Sequence, residues 1–217
     1  MPSENNPAAP VYLPASRYIT FFALAVGGTA ADLYSKWLVF KNLGMPGEFH
    51  PAAPSNSPMP AVWWLWDGVF GFQTSLNEGA LFGMGQGQIP LFTTVSLIAL
   101  VLIYFWLFWF RAAQSWLCTI VCAMFTAGIL GNLYDRIGLP GLIWNYSNDL
   151  HQVGQPVYAV RDWILVMLGS QPWPNFNIAD SLMVVGTAIM CFYVFFFTEE
   201  SERKDEKTEN NEESDNI

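Results

Sequence analysis

Apolar positions in this chain gather into four long runs, separated by two segments rich in Pro, Gly and Trp. A helix that crosses a bilayer needs about 20 residues of this kind. The pattern predicts spans over about 18–40, 89–110, 115–133 and 178–198. The second run carries no charge, the first contains Asp32 and Lys36, and the fourth has Asp180 at its start. Residues 41–88 and 134–177 become the long loops. Five prolines break any helical period in 41–60. The 61–76 stretch (AVWWLWDGVFGFQTSL) mixes Trp and β-formers with Gly. That mixture predicts short strands at the membrane surface, where Trp prefers to sit, with Asp67 in a turn.

Composition agrees with a membrane protein. The 217 residues are 53% apolar and 16% aromatic but only 12% charged, where a soluble domain has about 25% charged residues. A disordered chain, a nucleic-acid binder and an ordinary soluble enzyme are thereby excluded. The formal net charge of −9 is concentrated at one end. Residues 199–217 hold nine acids and three bases, against nine acids and six bases in 1–198. The acidic end has almost no apolar residues and is expected to be disordered. Residues 1–17 are polar and Pro-rich and read as a flexible tail, which leaves 18–198 as the helical body. Four spans would put Arg17, Arg111, Arg203, Lys204 and Lys207 on one side and Lys41, Arg136 and Arg161 on the other. This bias of five to three predicts cytoplasmic termini and outward-facing loops. Cys118, Cys122 and Cys191 all lie in apolar runs and read as packing residues, not a disulfide framework.

Ionisable groups at membrane depth are costly, so each needs a partner or a task. Asp32 and Lys36 have the i,i+4 spacing and order of a favourable helical pair. Gly128, Asn132 and Arg136 recur every four residues and share one helix face. The glycine permits close backbone approach, and the other two form a polar stripe of donors with a cavity beside it. Asp135, next to the stripe, is placed to hold Arg136. Asn177 and Asp180 are spaced as an N-cap and its first-turn acid. Asp162 sits in an otherwise apolar part of the second long loop and, taken alone, reads as a surface residue. His50 and His151 lie in separate loops without ligand spacing, so no metal is expected. No Gly-x-Ser-x-Gly and no phosphate-cradling loop with its Lys occurs. Any chemistry must therefore come from carboxylates, with no cofactor.

Five blocks, in order, resemble the bacterial lipoprotein signal peptidases, also called signal peptidase II. They are Asp32-Leu-Tyr-Ser-Lys36, Asn77-Glu-Gly-Ala-Leu-Phe82, Gly131-Asn-Leu-Tyr-Asp-Arg136, Val160-Arg-Asp162 and Phe176-Asn-Ile-Ala-Asp180. The resemblance implies an all-α membrane protein of four transmembrane helices with a small extracytoplasmic β-rich cradle. It implies an intramembrane aspartyl endopeptidase of the bacterial inner membrane, acting at the outer face. Its substrates would be lipid-modified prolipoproteins, cut just before the lipidated Cys. Membrane lipids would be its other partners, with no nucleic acid, and a monomer is favoured.

The resemblance assigns the catalytic pair to Asp162 and Asp180. It gives substrate-binding positions at Asn77, Gly128, Asn132, Arg136 and Asn177, and supporting ones at Asp32, Lys36 and Asp135. One departure stands out. Twenty-five residues separate Arg136 from Asp162, more than the family carries, so the loop holds an insertion at roughly 138–156. Asp135, Asp149 and Asp162 all compete for the first catalytic role, and the distance of 18 residues to Asp180 favours Asp162. Arg161 and Trp163 also stand where the family usually has an apolar residue and Phe. The insertion reads either as a surface excursion or as a flap over the cleft, and in both readings it supplies no catalytic group. A transporter would need acids at mid-depth and usually shows repeats, which are absent here. A membrane scaffold would require no particular pair of carboxylates.

Overall fold

A computed structural model describes residues 13–46, 62–79, 85–147 and 150–198. The acidic end, residues 1–12 of the expected N-terminal tail, the proline-rich 47–61 stretch and Asp149 lie outside these residues, whereas residues 15–17, read as tail, belong to the first helix. Helix α1 runs Ala15–Leu43, α2 Ile89–Tyr104, α3 Trp116–Arg136 and α4 Ile178–Tyr193. Strands β1 (Trp63–Trp66), β2 (Phe70–Asn77), β3 (Val160–Leu168) and β4 (Gln171–Pro172) form one antiparallel sheet in that order.

Local chemistry sets the helix ends. Pro14 in extended conformation precedes α1, and Gly44 closes it at φ 77, a conformation that suits glycine. Pro90 falls in the first turn of α2, where a missing N–H costs nothing. Ser115 caps α3 by accepting from the Cys118 N–H. Both α2 and α4 finish in a wider π-turn, over Phe105–Trp109 and Val194–Thr198.

Among the described residues three helical segments, Ile89–Trp109, Trp116–Arg136 and Ile178–Phe196, are long and apolar enough to cross a membrane. No residue of α2 is buried in the protein, as suits a helix whose partner is lipid. Helix α1 has the length to span but falls outside that composition class, because it carries polar groups that the protein buries. Asp32 and Lys36 are both fully inaccessible.

Helix α3 is the central post, packed on α1, α2 and α4. Its small residues let backbones meet. A Cβ at Gly28 of α1 would stand 2.8 Å from the Ala127 Cβ. One at Gly128 would stand 2.5 Å from Met183 Cγ and 2.6 Å from the Ala179 carbonyl oxygen of α4. At the other end of α1, Val39 and Phe40 pack with Trp163 and join the helices to the sheet.

The hairpin of β1 and β2 falls within the stretch read as strands, with Asp67 in its turn. The segment around Asp162 differs from the loop expected there. Val160–Leu168 is a strand paired along β2, and it is buried at its start. The segment Val-Arg-Asp-Trp-Ile-Leu-Val-Met-Leu is almost wholly apolar apart from one charged pair, as a strand buried on both faces must be. The fold is thus four helices with a four-stranded sheet, a larger β component than a small cradle of 61–76 alone.

Candidate active site

Asp162 and Asp180 reach one cleft from different elements. In β3, Asp162 pairs with Ser75 of β2, and side chains alternate across a strand. Arg161 and Asp162 therefore point to opposite faces. Asp162 turns toward the cleft, where Asn77, two residues beyond Ser75, hydrogen-bonds its carboxylate. Arg161 turns toward α3 and grips Asp135, donating from Nε at 2.9 Å, from Nη2 at 2.8 Å and from its backbone N–H at 3.1 Å.

Asp180 is placed by the start of α4. Asn177 caps the helix by accepting from the Asp180 N–H at 2.9 Å, and Asp180 accepts from the Asn177 N–H at 3.2 Å. This reciprocal box satisfies two helix-end donors and holds the acid near the positive end of the helix dipole.

A chain of side-chain amides joins the two acids. Asn177 Nδ2 donates to Asp162 Oδ1 at 2.7 Å and to Asn132 Oδ1 at 3.0 Å. Asn132 Nδ2 donates to Asp180 Oδ1 at 2.8 Å. Each carboxylate thus receives an amide donor. Lys36 anchors the chain from beneath, donating to Asn132 Oδ1 at 3.0 Å. The same ammonium lies 2.7 Å from Asp32 and 3.0 Å from Asp135. Asp32 in turn accepts from the Ala179 N–H at 2.9 Å. Two buried cations, Lys36 and Arg161, with two buried anions, Asp32 and Asp135, therefore tie α1, α3, α4 and the sheet together under the acids. A Cβ at Gly131 would collide with Asp32 Oδ2, so glycine there makes room for the pair.

The cleft has a volume of about 1160 Å³ and is lined by Asn77, Asn132, Arg136, Asp162 and Asp180 on its polar side. Met183, Val184 and Val185 of α4 supply apolar wall. Asp162 is 2% exposed, while Asp180 is only half-buried. Burial, and then the neighbouring Asp180, push the Asp162 carboxyl up to about 8. Lys36 and the amides of Asn77 and Asn177 oppose that rise.

Three placements differ from the sequence reading. Asp135 makes no hydrogen bond to Arg136 and does not line the cleft; it pairs with Arg161 and Lys36. Arg136 instead donates to the Gly79 carbonyl at 3.2 Å. Gly128 does not line the cleft but sits at the contact of α3 with α4, and Asn177 is wholly buried beneath the acids. The Asp32–Lys36 pair ties α1 to its neighbours, reaching Asn132, Asp135 and Ala179. Tyr146, from the insertion, lines the cleft, a position that residue order does not reveal. The sequence signal for it is an aromatic residue inside a loop too long to be a mere connection.

Residues 24–196 match the family model described as Signal peptidase (SPase) II. A lipoprotein signal peptidase of Rhodopirellula baltica is 44% identical over 186 residues, covering 84% of this chain and 74% of that protein. A lipoprotein signal peptidase of Geobacillus thermodenitrificans is 28% identical over 181 residues, covering 83% of this chain and 92% of its own length. A solved bacterial membrane enzyme shares the fold with a TM-score of 0.61 at 18% identity, over 87% of this chain and 93% of that one. The family match takes in most of α1, all of α2, α3 and α4 and both acid-bearing elements, and on that ground the chain belongs to the signal peptidase II family.

Proposed function

We propose that this protein is an intramembrane aspartyl endopeptidase that removes the signal peptide from diacylglyceryl-modified prolipoproteins, cutting before the lipidated Cys. The observation that carries the reading is the amide chain Asp162–Asn177–Asn132–Asp180, which brings two carboxylates from β3 and α4 onto one cleft. Relatives named lipoprotein signal peptidase supply the substrate class.

The chemistry follows from the unequal environments. Asp162 carries the shared proton and Asp180 is the base. Asp180 takes a proton from water, and the oxygen attacks the scissile carbonyl while Asp162 protonates the carbonyl oxygen. The tetrahedral intermediate collapses as Asp180 returns its proton to the leaving amine and Asp162 recovers its own. Bonds and protons balance without a metal or cofactor. Asn77 and Asn177 hold Asp162, and Asn132 holds Asp180, so the pair is aligned before substrate arrives. Arg136 and Asn132 face the peptide backbone and position it. The apolar α4 wall at Met183, Val184 and Val185 accepts the substrate's acyl chains, which never leave the lipid phase. Helix α1 is read as the fourth span, its buried ion pair screened by α3 and α4. Four spans put both termini in the cytoplasm and the cleft at the outer face of the bacterial inner membrane.

The test is cleavage of a diacylglyceryl-modified prolipoprotein peptide by the purified protein in detergent. Wild-type protein is expected to release the signal peptide just before the Cys. Asp162→Asn and Asp180→Asn are each expected to fall by at least about 100- to 10,000-fold, the share that general acid–base groups supply. Wild-type turnover in either variant would remove that aspartate from the mechanism.

A further inference from the structure

The insertion after α3 has two described arms that pair with each other. Its arms, 142–147 and 150–157, meet through the Trp144 N–H to the Gln155 carbonyl and the Gly154 N–H to the Trp144 carbonyl, both at 2.9 Å. The Val157 N–H closes the base on the Leu142 carbonyl at 2.9 Å. Trp144 is 3% exposed and packs with Val157 and Ala159 against Leu76 of β2. The indole also stacks on the His151 ring, 4.6 Å between centroids and 9° from parallel.

His151 Nε2 meets Glu78 Oε1, and Glu78 is 5% exposed. Its second oxygen, Oε2, is buried with no hydrogen-bond partner among the described residues. A carboxyl so placed gains little by itself, so its value lies in what it holds. Glu78 stands between two residues of the cleft. Asn77 hydrogen-bonds Asp162, and the Gly79 carbonyl accepts from Arg136. Beyond Asn77 the chain has left its pairing with β3, so the ladder no longer restrains residues 78 and 79.

We propose that Glu78 and His151 are a positioning pair: the hairpin, stiffened by Trp144, clamps the end of β2 and so fixes Asn77 against Asp162 and Gly79 against Arg136. The pair touches no reacting atom and acts through those two contacts. The kinetic half of this inference rests on the peptidase reading above. The structural half does not.

The test uses the full chain in detergent. Glu78→Ala and His151→Ala are each expected to lower kcat about tenfold on the lipidated peptide, because small displacements of aligned groups cost rate. KM is expected to change less than about twofold, since substrate contacts remain. The double variant is expected to be no slower than the slower single, as for two members of one contact. Glu78→Gln keeps an acceptor for His151 and is expected to stay within about twofold of wild type. Amide hydrogen exchange at 76–79 should quicken in both Ala variants and not in Glu78→Gln. Unchanged exchange at 76–79 in the Ala variants overturns the clamp whatever the activity. Additive losses in the double variant, or a raised KM with kcat intact, also overturn it. Faster exchange in the Ala variants of a protein whose wild type cleaves nothing would sink the peptidase reading and leave the clamp standing.

Discussion

Asp162 and Asp180 are equivalent as letters in the sequence and differ as groups in the structure. Asp162 lies in a strand covered on both faces, with Trp163 and Val160 as buried neighbours. Asp180 stands at a helix start that opens on the cleft. The consequence is a pH dependence with a definite sign. A carboxyl pushed up to about 8 is protonated below that pH and loses its proton above it. The proposed reaction needs one proton on the pair, so kcat/KM is expected to hold through neutral pH and to decline as pH passes about 8. The limb belongs to the pair and its surroundings, which are Lys36 on α1, Arg136 on α3 and the amides of Asn77 and Asn177. A pH–rate profile in one detergent at constant ionic strength reads it. An activity that rises without limit through the alkaline range would show that Asp162 acts as an ionised base.

At the scale of elements, the geometry of the proposed catalytic pair depends on how closely α3 and α4 approach. Asn132 and Asn177 hydrogen-bond only because their helices pack through glycine. A methyl at Gly128 would overlap the Ala179 carbonyl and Met183 Cγ. Backbone cannot give way as a flexible side chain can, so Gly128→Ala is expected to destabilise by about 1–3 kcal/mol, the usual cost of overpacking. At Gly27, on α1, an added methyl would meet nothing within 4 Å, and Gly27→Ala should be neutral or slightly stabilising through helix propensity. Thermal unfolding in detergent compares the two. Equal midpoints for both variants would mean that α3 and α4 are not in such close contact. Strand β3 depends on register in the same way. Arg161 and Asp162 are adjacent, yet alternation sends one to Asp135 and the other to the cleft, so a one-residue slip would exchange them.

For the whole molecule, the four-span arrangement proposed above would return the chain to its starting side, and the five-to-three bias of Lys and Arg argues for the cytoplasm as that side. Reporters fused after residue 198 and within 138–156 are expected to respond oppositely, the first active inside and the second outside. Matching signals from both positions would refute a four-span arrangement. Among the described residues three helices qualify as spans by composition alone, and the proposed fourth, α1, carries Asp32 and Lys36 buried within the protein.

Much of this protein can be read directly from residue order. Helix positions follow from the length and polarity of the apolar runs, because a bilayer demands about 20 such residues regardless of what packs beside them. The capping pair Asn177 and Asp180 is legible too, since a cap is satisfied within one turn. The five motif blocks supply the candidate acids. Other features depend on tertiary contact. Asp162 reads as a surface residue because its burial comes from β2, more than 80 positions away in sequence. Asp135 reads as the partner of its neighbour Arg136, but successive residues on a helix point about 100° apart, and Lys36 and Arg161 are nearer in space. His151 reads as isolated, and only the folding back of the hairpin brings it to Glu78. Periodicity and capping are local and survive in one dimension. Burial, pairing and proton affinity depend on which distant groups arrive at the same place, and for this chain only the packed structure decides that.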